Sequence, residues 1–428
     1  MRRISVVGFG KIGQAVVANL LRNNIQVNAV DINPALNDVF ASGKYATNEP
    51  QLESILVPAY HTGQLSITDQ MASVAGSDAI IVAIPLLVSQ TKEILDQPFL
   101  DCFRAIAPHI SAKTLIVVET SIPVGYGRNH IVPAMEAQGA RHGEAFLLVH
   151  SPERIKSGTM LQQLLVTPKV IGGVTPEAAE RAREVYTWFF DPSLIHIVQS
   201  IESAEMVKLS GMAYRDVNIA LSNQLAQFAQ ATGVEFADLI PLINTDGEAQ
   251  MLQPGIGVGG HCTPVYPYFL INNFKEAGLD FMLASRSREI NDGMAAFAVS
   301  CALSHITRKN ALILGLGFRP DIKEDTFSTT YLLHRELMQQ GFETRLHDTV
   351  FQHDEIEAKG FTPCEDIYAS QASVVFLVTM HAAYRALDFS RLAASGVEVI
   401  VDGRNQLDRK AIESAGIRYI GIGRSSDK

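Results

Sequence analysis

The sequence predicts an α/β chain of two Rossmann-like, doubly wound domains joined by a long helical segment. Three observations predict it. Residues 4–30 read strand, glycine turn, helix, strand, and residues 310–348 repeat that order. Between them, residues 202–232 form one proline-free helical pattern. At 428 residues the chain exceeds what one hydrophobic core normally supports. The expected divisions are 1–198 for the first nucleotide-fold domain, 199–304 for a central helical segment, and 305–428 for the second nucleotide-fold domain.

The first strand, expected at 4–7, runs into Gly8-Phe9-Gly10-Lys11-Ile12-Gly13, and a helix is expected to continue over 14–21. A second strand at 27–30 ends in Asp31. Gly8, Gly10 and Gly13 suit a tight turn and close approach to a pyrophosphate, and the helix start at Lys11 and Ile12 offers free N–H groups. Asp31 can accept from both ribose hydroxyls and would repel a 2′-phosphate, which favours NAD over NADP.

Further strands at 79–84, 114–118 and 146–149 fit the same parallel sheet. They end at Pro85, at Glu119-Thr120-Ser121-Ile122-Pro123-Val124-Gly125, and at His150-Ser151-Pro152-Glu153-Arg154. Ligands of open α/β sheets sit beyond the carboxyl ends of the strands, so these loops are expected to line the nicotinamide side of the cleft. Each also reads as a plain turn, but a carboxylate such as Glu153, directly after a buried strand and a proline, is well placed for proton transfer.

The helix expected at 202–232 closes at Gly233, and its apolar positions recur on more than one face, as in a helix buried against partners. At about 45 Å it is long enough to cross a dimer interface. Lys208 and Met212 project from one face; a lone helix lysine is ordinarily solvated surface. Pro254-Gly255-Ile256-Gly257-Val258-Gly259-Gly260-His261-Cys262 then sets four glycines ahead of one cysteine. Such a loop can wrap a substrate and present a thiol to it, although a cysteine there also reads as a small buried residue.

The second nucleotide fold starts with a strand at 310–317 that ends in Gly315-Leu316-Gly317-Phe318-Arg319-Pro320. A helix follows at 328–340, with strands at 342–348, 373–379 and 397–402. Its turn lacks the full GxGxxG, so it need not hold a dinucleotide and is open to another nucleotide. Cys262 is expected near the cleft between the lobes.

Composition sets bounds on function. Hydrophobic residues make up 47% and charged residues 19%, as in a globular protein, and the net charge of −10 disfavours nucleic acid or an anionic membrane as a partner. Cys102, Cys262, Cys301 and Cys364 lie far apart, form no metal-ligand spacing and read as reduced thiols of a cytoplasmic protein. Neither a signal peptide nor a membrane anchor is expected.

Taken together these residues resemble the UDP-glucose/GDP-mannose dehydrogenase family over nearly the whole chain. The resemblance rests on the N-terminal turn, Thr47-Asn48-Glu49-Pro50, Ser151-Pro152-Glu153-Arg154, Ala204-Glu205 with Lys208, the Cys262 loop, Gly315 to Pro320, and Asp402-Gly403-Arg404-Asn405. The Ser-Pro-Glu-Arg and Gly-Gly-His-Cys forms look more like the branch acting on UDP-N-acetylhexosamines.

The resemblance implies oxidation of the C6 alcohol of a nucleotide sugar to a carboxylate with two NAD, in a homodimer. It implies that Cys262 is the nucleophile of a thiohemiacetal and thioester, Glu153 the base that activates the hydrolytic water, and Lys208 the cation beside oxyanions on the sugar carbon. Ser121 would position a water and touch the cofactor. Glu153, Arg154, Lys208, Gly257, Gly259, Phe318 and Arg319 would bind substrate, and Pro85 would line the cofactor site.

Three positions depart from the family pattern: Met212 for an asparagine, Tyr266 for an acid, and Thr326 for an arginine. A smaller departure is Gln224 for a glutamate. Met212 cannot donate to an oxyanion, and loss of one such donor commonly costs about 10² to 10³ in rate. A tyrosine near pH 7 cannot replace a carboxylate as proton acceptor. Two alternatives therefore stand beside the full reaction. One is altered chemistry, by a single oxidation, a stalled thioester or an unusual nucleotide-linked substrate; the other is a non-catalytic nucleotide-sugar or NAD binding protein.

Overall fold

The computed structural model describes residues 2–47 and 49–425, so Asn48 of the Thr47-to-Pro50 motif lies outside the described residues. The chain divides into two units, Met1–Gly211 and Met212–Lys428. Among the described residues no helix is long and apolar enough to cross a membrane.

The first unit is built on an eight-stranded sheet. Its strands are β1 (Arg3–Val7), β2 (Gln26–Val30), β3 (Leu65–Thr68), β4 (Ala79–Val82), β7 (Thr114–Val118), β8 (Phe146–His150), β9 (Lys169–Gly173) and β10 (Ile195–Ile197). A short separate hairpin pairs β5 (Leu87–Val88) with β6 (Ile94–Leu95). The sheet order is β10-β9-β8-β7-β4-β1-β2-β3.

Side chains alternate across this sheet. Val6, Ala29, Ile81 and Val117 enter one core with the helix Lys11–Arg22, while Val7, Val30, Val82 and Val118 enter the other with the helix Gln97–Ile106. Burial on both faces explains the continuous apolar runs of these strands.

The expected strand at 79–84 stops at Val82, and the one at 146–149 extends to His150. The sheet also departs from the wholly parallel one expected. β9 runs antiparallel to β8, with Val149 opposite Gly173 and His150 opposite Gly172, and β10 follows β9 in parallel.

The second unit carries a parallel sheet in the order β12-β11-β13-β14-β15, formed by β11 (Asn310–Leu314), β12 (Glu343–His347), β13 (Val374–Leu377), β14 (Val399–Asp402) and β15 (Arg418–Gly421). Ile313, Phe376 and Val401 pack against the helices Met282–Leu303 and Thr329–Gln339, and Leu314, Val375 and Ile400 fill the opposite core.

The expected long helix spans Ile201–Thr232. Its residues up to Gly211 belong to the first unit and those from Met212 to the second. Small buried residues, Ala204 in the first unit and Ala220, Ala226 and Ala229 in the second, let the helix approach its neighbours closely. Tyr214, Leu221 and Phe228, seven residues apart, are 60%, 49% and 65% exposed in the single chain.

Candidate functional site

The three glycines of the first turn have three different reasons to be there. Gly8 has φ +95°, and a Cβ on it would lie 2.8 Å from the Ile84 backbone nitrogen. A Cβ on Gly13 would lie 1.9 Å from the Gly8 carbonyl oxygen, so that glycine lets the helix meet the strand. Gly10 caps the helix Lys11–Arg22 with open space where a Cβ would be, which leaves the backbone approachable.

Asp31 accepts from the Phe9 amide at 2.7 Å and from the Asn33 amide at 3.0 Å. It thus braces the turn, and its oxygens retain lone pairs for a ribose. A dinucleotide fits this constellation. Lys11 is exposed and Ile12 half-buried at the helix start, and Pro85 is exposed just past β4.

The ends of β7 and β8 gather the polar residues of the first unit. Ser151 donates its amide to the Val118 carbonyl at 2.9 Å, and the Glu153 amide donates to the Glu119 carbonyl at 3.1 Å, so the two loops remain paired beyond the sheet. Ser121 is 4% and Glu153 5% exposed. Lys208 donates from Nζ to the Glu153 carbonyl oxygen at 2.5 Å, bringing these two predicted residues together. Arg154 donates its amide to Glu153 Oε1 at 2.7 Å and its guanidinium to the Pro168 carbonyl. Glu49 accepts from the Gly158 amide at 2.7 and 2.8 Å, tying the Thr47-to-Pro50 motif to the loop beyond Arg154.

Sequence reasoning singled out Glu153 but missed Lys169, Glu119 and Tyr186 beside it. Lys169, 3% exposed, donates from Nζ to Glu119 Oε1 and to Glu153 Oε2, each at 2.7 Å, and Tyr186 donates its hydroxyl to Glu119 Oε1 at 2.7 Å. A lysine opening an otherwise apolar and glycine strand run, Lys169-Val170-Ile171-Gly172-Gly173, was the available signal. Burial pushes the Glu119 carboxyl up against the pull of Lys169. For Lys169 burial opposes the charge, but the Glu119 and Glu153 carboxylates outweigh it and hold the ammonium above its usual range.

His150 is fully buried, and burial followed by the charge of Lys208 lowers it to about 3. The unfolded chain therefore binds the extra proton below the ordinary value of 6.5. Stability is expected to fall as pH drops from about 6.5 towards 3, by up to about 1.4 kcal/mol per pH unit. Urea midpoints at pH 7 and pH 5 check this: the parent should lose more than His150→Asn, and equal losses would refute the assignment.

In the second unit the glycine loop is held by close contacts. A Cβ on Gly259 would lie 2.8 Å from Phe318 Cβ, and one on Gly260 (φ +111°) 3.1 Å from the Phe318 ring. A Cβ on Gly257 (φ +137°) would lie 3.0 Å from the Asn291 carbonyl oxygen. The Gly260 amide donates to the Thr326 carbonyl at 3.1 Å, a backbone contact indifferent to the side chain at that position. Thus Gly257, Gly259, Cys262 and Phe318 share one locality, with the Arg319 guanidinium 5.8 Å from the Phe318 ring centre.

Cys262 is half-buried, and its carbonyl accepts from the Val265 and Tyr266 amides to start the helix Tyr266–Glu276. The Tyr266 ring packs on Phe269 with centroids 5.5 Å apart. No cysteine is in a disulfide among the described residues. Burial raises the Cys102 and Cys301 thiols to about 12 and about 11 and pushes Cys364 up, which makes all three poor nucleophiles.

A chain of amides and charges anchors the loop to its helices. Asn223 accepts the Gly255 amide at 2.9 Å and donates to Asn291 Oδ1 at 2.9 Å; Asn291 donates to Asp216 Oδ1 at 2.8 Å, where Arg288 also donates at 2.6 Å.

The second turn copies one feature of the first. Asp348 accepts the Leu316 amide at 2.6 Å, as Asp31 accepts that of Phe9. Asp348 also takes the Val350 and Phe351 amides and contacts His381 Nε2 at 3.1 Å, which occupies the carboxylate that a ribose would need. The helix after this turn starts only at Thr329. That helix start nevertheless lies beside the turn, the Thr330 hydroxyl donating to the Gly315 carbonyl at 2.8 Å, so the occupied Asp348 carboxylate is what sets this turn apart from the first.

Comparison with known proteins matches three successive segments to one family: its NAD binding domain at 2–190, its central domain at 202–293 and its UDP binding domain at 312–409. A UDP-N-acetyl-D-mannosamine dehydrogenase of Pyrococcus horikoshii is 30% identical, over 99% of each chain. An NDP-N-acetyl-D-galactosaminuronic acid dehydrogenase of Ralstonia nicotianae is 30% identical over 96% of this chain and 97% of its own. The solved structure of the Pyrococcus horikoshii UDP-D-ManNAc dehydrogenase superposes with a TM-score of 0.86 at 28% identity, covering 99% of each chain. With the dinucleotide turn at Gly8–Gly13 and matched segments along nearly its full length, this chain belongs to the UDP-glucose/GDP-mannose dehydrogenase family of NAD-dependent oxidoreductases.

Proposed function

We propose that this protein oxidises the C6 alcohol of a UDP-linked N-acetylhexosamine to the uronic acid through a thioester on Cys262. The observation that carries the covalent part is the glycine loop. Its residues pack so closely on Phe318 and Asn291 that Cys262 is presented from a defined backbone rather than a mobile loop. The names of the Pyrococcus and Ralstonia relatives favour an N-acetylated sugar.

NAD bound at the Gly8–Gly13 turn supplies the hydride acceptor. Gly8, Gly10, Lys11, Ile12, Gly13 and Asp31 hold it, and Pro85 and Ser121 line its nicotinamide side. Cys262 Sγ bonds to C6 once it has become an aldehyde, giving a thiohemiacetal whose oxidation leaves a thioester. Glu153 takes a proton from the water that releases the acid, and Lys208 stabilises the oxyanions. Arg154, Gly257, Gly259, Phe318 and Arg319 bind the nucleotide sugar. The seven-residue stripe Tyr214, Leu221 and Phe228, exposed in the single chain, supports a homodimer formed along the long helix.

Tyr266 favours a second reading. Its ring lies on Phe269 where the family has an acid, so the reaction can stop early or stall at the thioester. One assay separates the cases: NADH per sugar consumed, with product mass, across UDP-N-acetyl-D-mannosamine, UDP-N-acetylgalactosamine, UDP-glucose and GDP-mannose. Two NADH per UDP-N-acetylhexosamine is the expected result. One NADH with aldehyde product supports the second reading, and no NADH from any sugar would sink both.

A further inference from the structure

We propose that Lys169 is a positioning residue for the hydrolytic step, its ammonium holding the Glu153 carboxylate in place and balancing its charge, with Glu119 as the second carboxyl that shares it. The inference rests on the reading of Glu153 as the base.

The topology explains how a strand-opening lysine reaches this edge. In a parallel sheet the first residue of a strand lies opposite the ligand-binding edge. β9 is reversed against β8, and continuing its register from His150 opposite Gly172 by three residues sets Glu153 opposite Lys169. The contact is then made at 2.7 Å between groups 4% and 5% exposed.

The electrostatics call for more than a structural ion pair. Two buried carboxylates share one ammonium, so with every group ionised the cluster carries an uncompensated negative charge away from water. Burial raises the Glu119 carboxyl against the pull of Lys169, and through Oε1, which keeps Lys169 and Tyr186, its charge competes with that of Glu153 for the one ammonium. The other groups facing the cluster are His150, held neutral by burial, and Lys208 at the Glu153 carbonyl. The rings of Tyr186 and Phe190 stand 5.3 and 5.6 Å from Nζ.

In the step itself, water oxygen bonds to the thioester carbon and one water proton passes to Glu153. The C–S bond breaks, returning the Cys262 sulfur as thiolate and the product as carboxylic acid. No further oxidant enters. Each Glu153 oxygen already accepts one hydrogen bond, from the Arg154 amide or from Lys169, and keeps lone-pair capacity for the water.

The test uses the full-length enzyme with NAD and UDP-N-acetyl-D-mannosamine in single turnover, reading NADH by absorbance and the Cys262 adduct by intact mass. Lys169→Met should leave the first hydride transfer near the parent rate, slow adduct release by about 10²-fold, and move the acidic limb of release up by about one pH unit or more. Lys169→Arg should restore most of the rate. Glu119→Gln, which leaves Lys169 to Glu153 alone, should move the same limb the opposite way, a sign that structural damage would not produce.

A folded Lys169→Met enzyme with parental release rate and pH profile would overturn the proposal. If Glu153→Gln releases the adduct at the parent rate, the base reading fails instead. Should Lys169→Met not fold, an unchanged profile in Glu119→Gln overturns the proposal. Carbon-13 NMR of glutamate-labelled enzyme needs no turnover. The Glu153 carboxyl signal, identified by its loss in Glu153→Gln, should titrate higher in Lys169→Met and lower in Glu119→Gln, and unchanged midpoints refute the assignment.

Discussion

Asp216→Ala should destabilise the second unit by about 3–5 kcal/mol, because it removes the buried partner of Arg288 and leaves that guanidinium only the partly exposed Asp292. Asp216 is 0% and Arg288 3% exposed, and the remaining carboxylate partner of Arg288 is Asp292, itself 40% exposed at the side chain. The loss extends further, since Asp216 also accepts from Asn291, which orients Asn223, which accepts the Gly255 amide. For a unit of this size the deficit corresponds to a fall in melting temperature of about 6–20 °C. Calorimetry of the single variant and of Asp216→Leu with Arg288→Met checks it. The double variant should be more stable than Asp216→Ala, because no buried charge remains at this pair; strictly additive losses would contradict the argument.

The other large effect is chemical. Cys262→Ala should lower conversion to the acid by a factor on the order of 10⁴ or more, since the atom proposed to carry the thioester is gone. NAD affinity should be unchanged, because the dinucleotide turn lies in the first unit. NADH per sugar should drop to one or below, with aldehyde as the only oxidised product. Cys262→Ser keeps a hydroxyl of similar size but not the thiolate, and should recover little. Acid formation at the parent rate by Cys262→Ala would end the thioester reading. Parental NADH stoichiometry with slowed hydrolysis would place the chemistry on another nucleophile.

Much of the site was legible locally. Gly8, Gly10, Gly13 and Asp31 form a motif because each answers a constraint within one strand-turn-helix-strand unit, and the structure gives each glycine its own reason. The Cys262 loop was legible for the same cause: four glycines in six residues are costly unless the backbone needs them. Asp348 was less legible. A terminal acid after the second strand looks like Asp31 in sequence, but its oxygens are spent on the Leu316, Val350 and Phe351 amides and on His381. Both acids brace their turns, and only their hydrogen-bond partners show that Asp31 carries fewer bonds than Asp348.

Local pattern thus carried the two nucleotide folds, the long helix and the close-packed glycine loop before Cys262, because hydrophobic period, glycine spacing and proline-free length act over tens of residues. The direction of β9 was beyond its reach, since a short strand reads alike in either orientation. That direction brings Lys169 to Glu119, fifty residues earlier, and to Glu153. The same holds for Asp216 and Arg288, seventy-two residues apart, each an ordinary charged residue of a helix until packing strips it of water. Burial and pairing are properties of the assembled chain, and the electrostatics of this protein arise there.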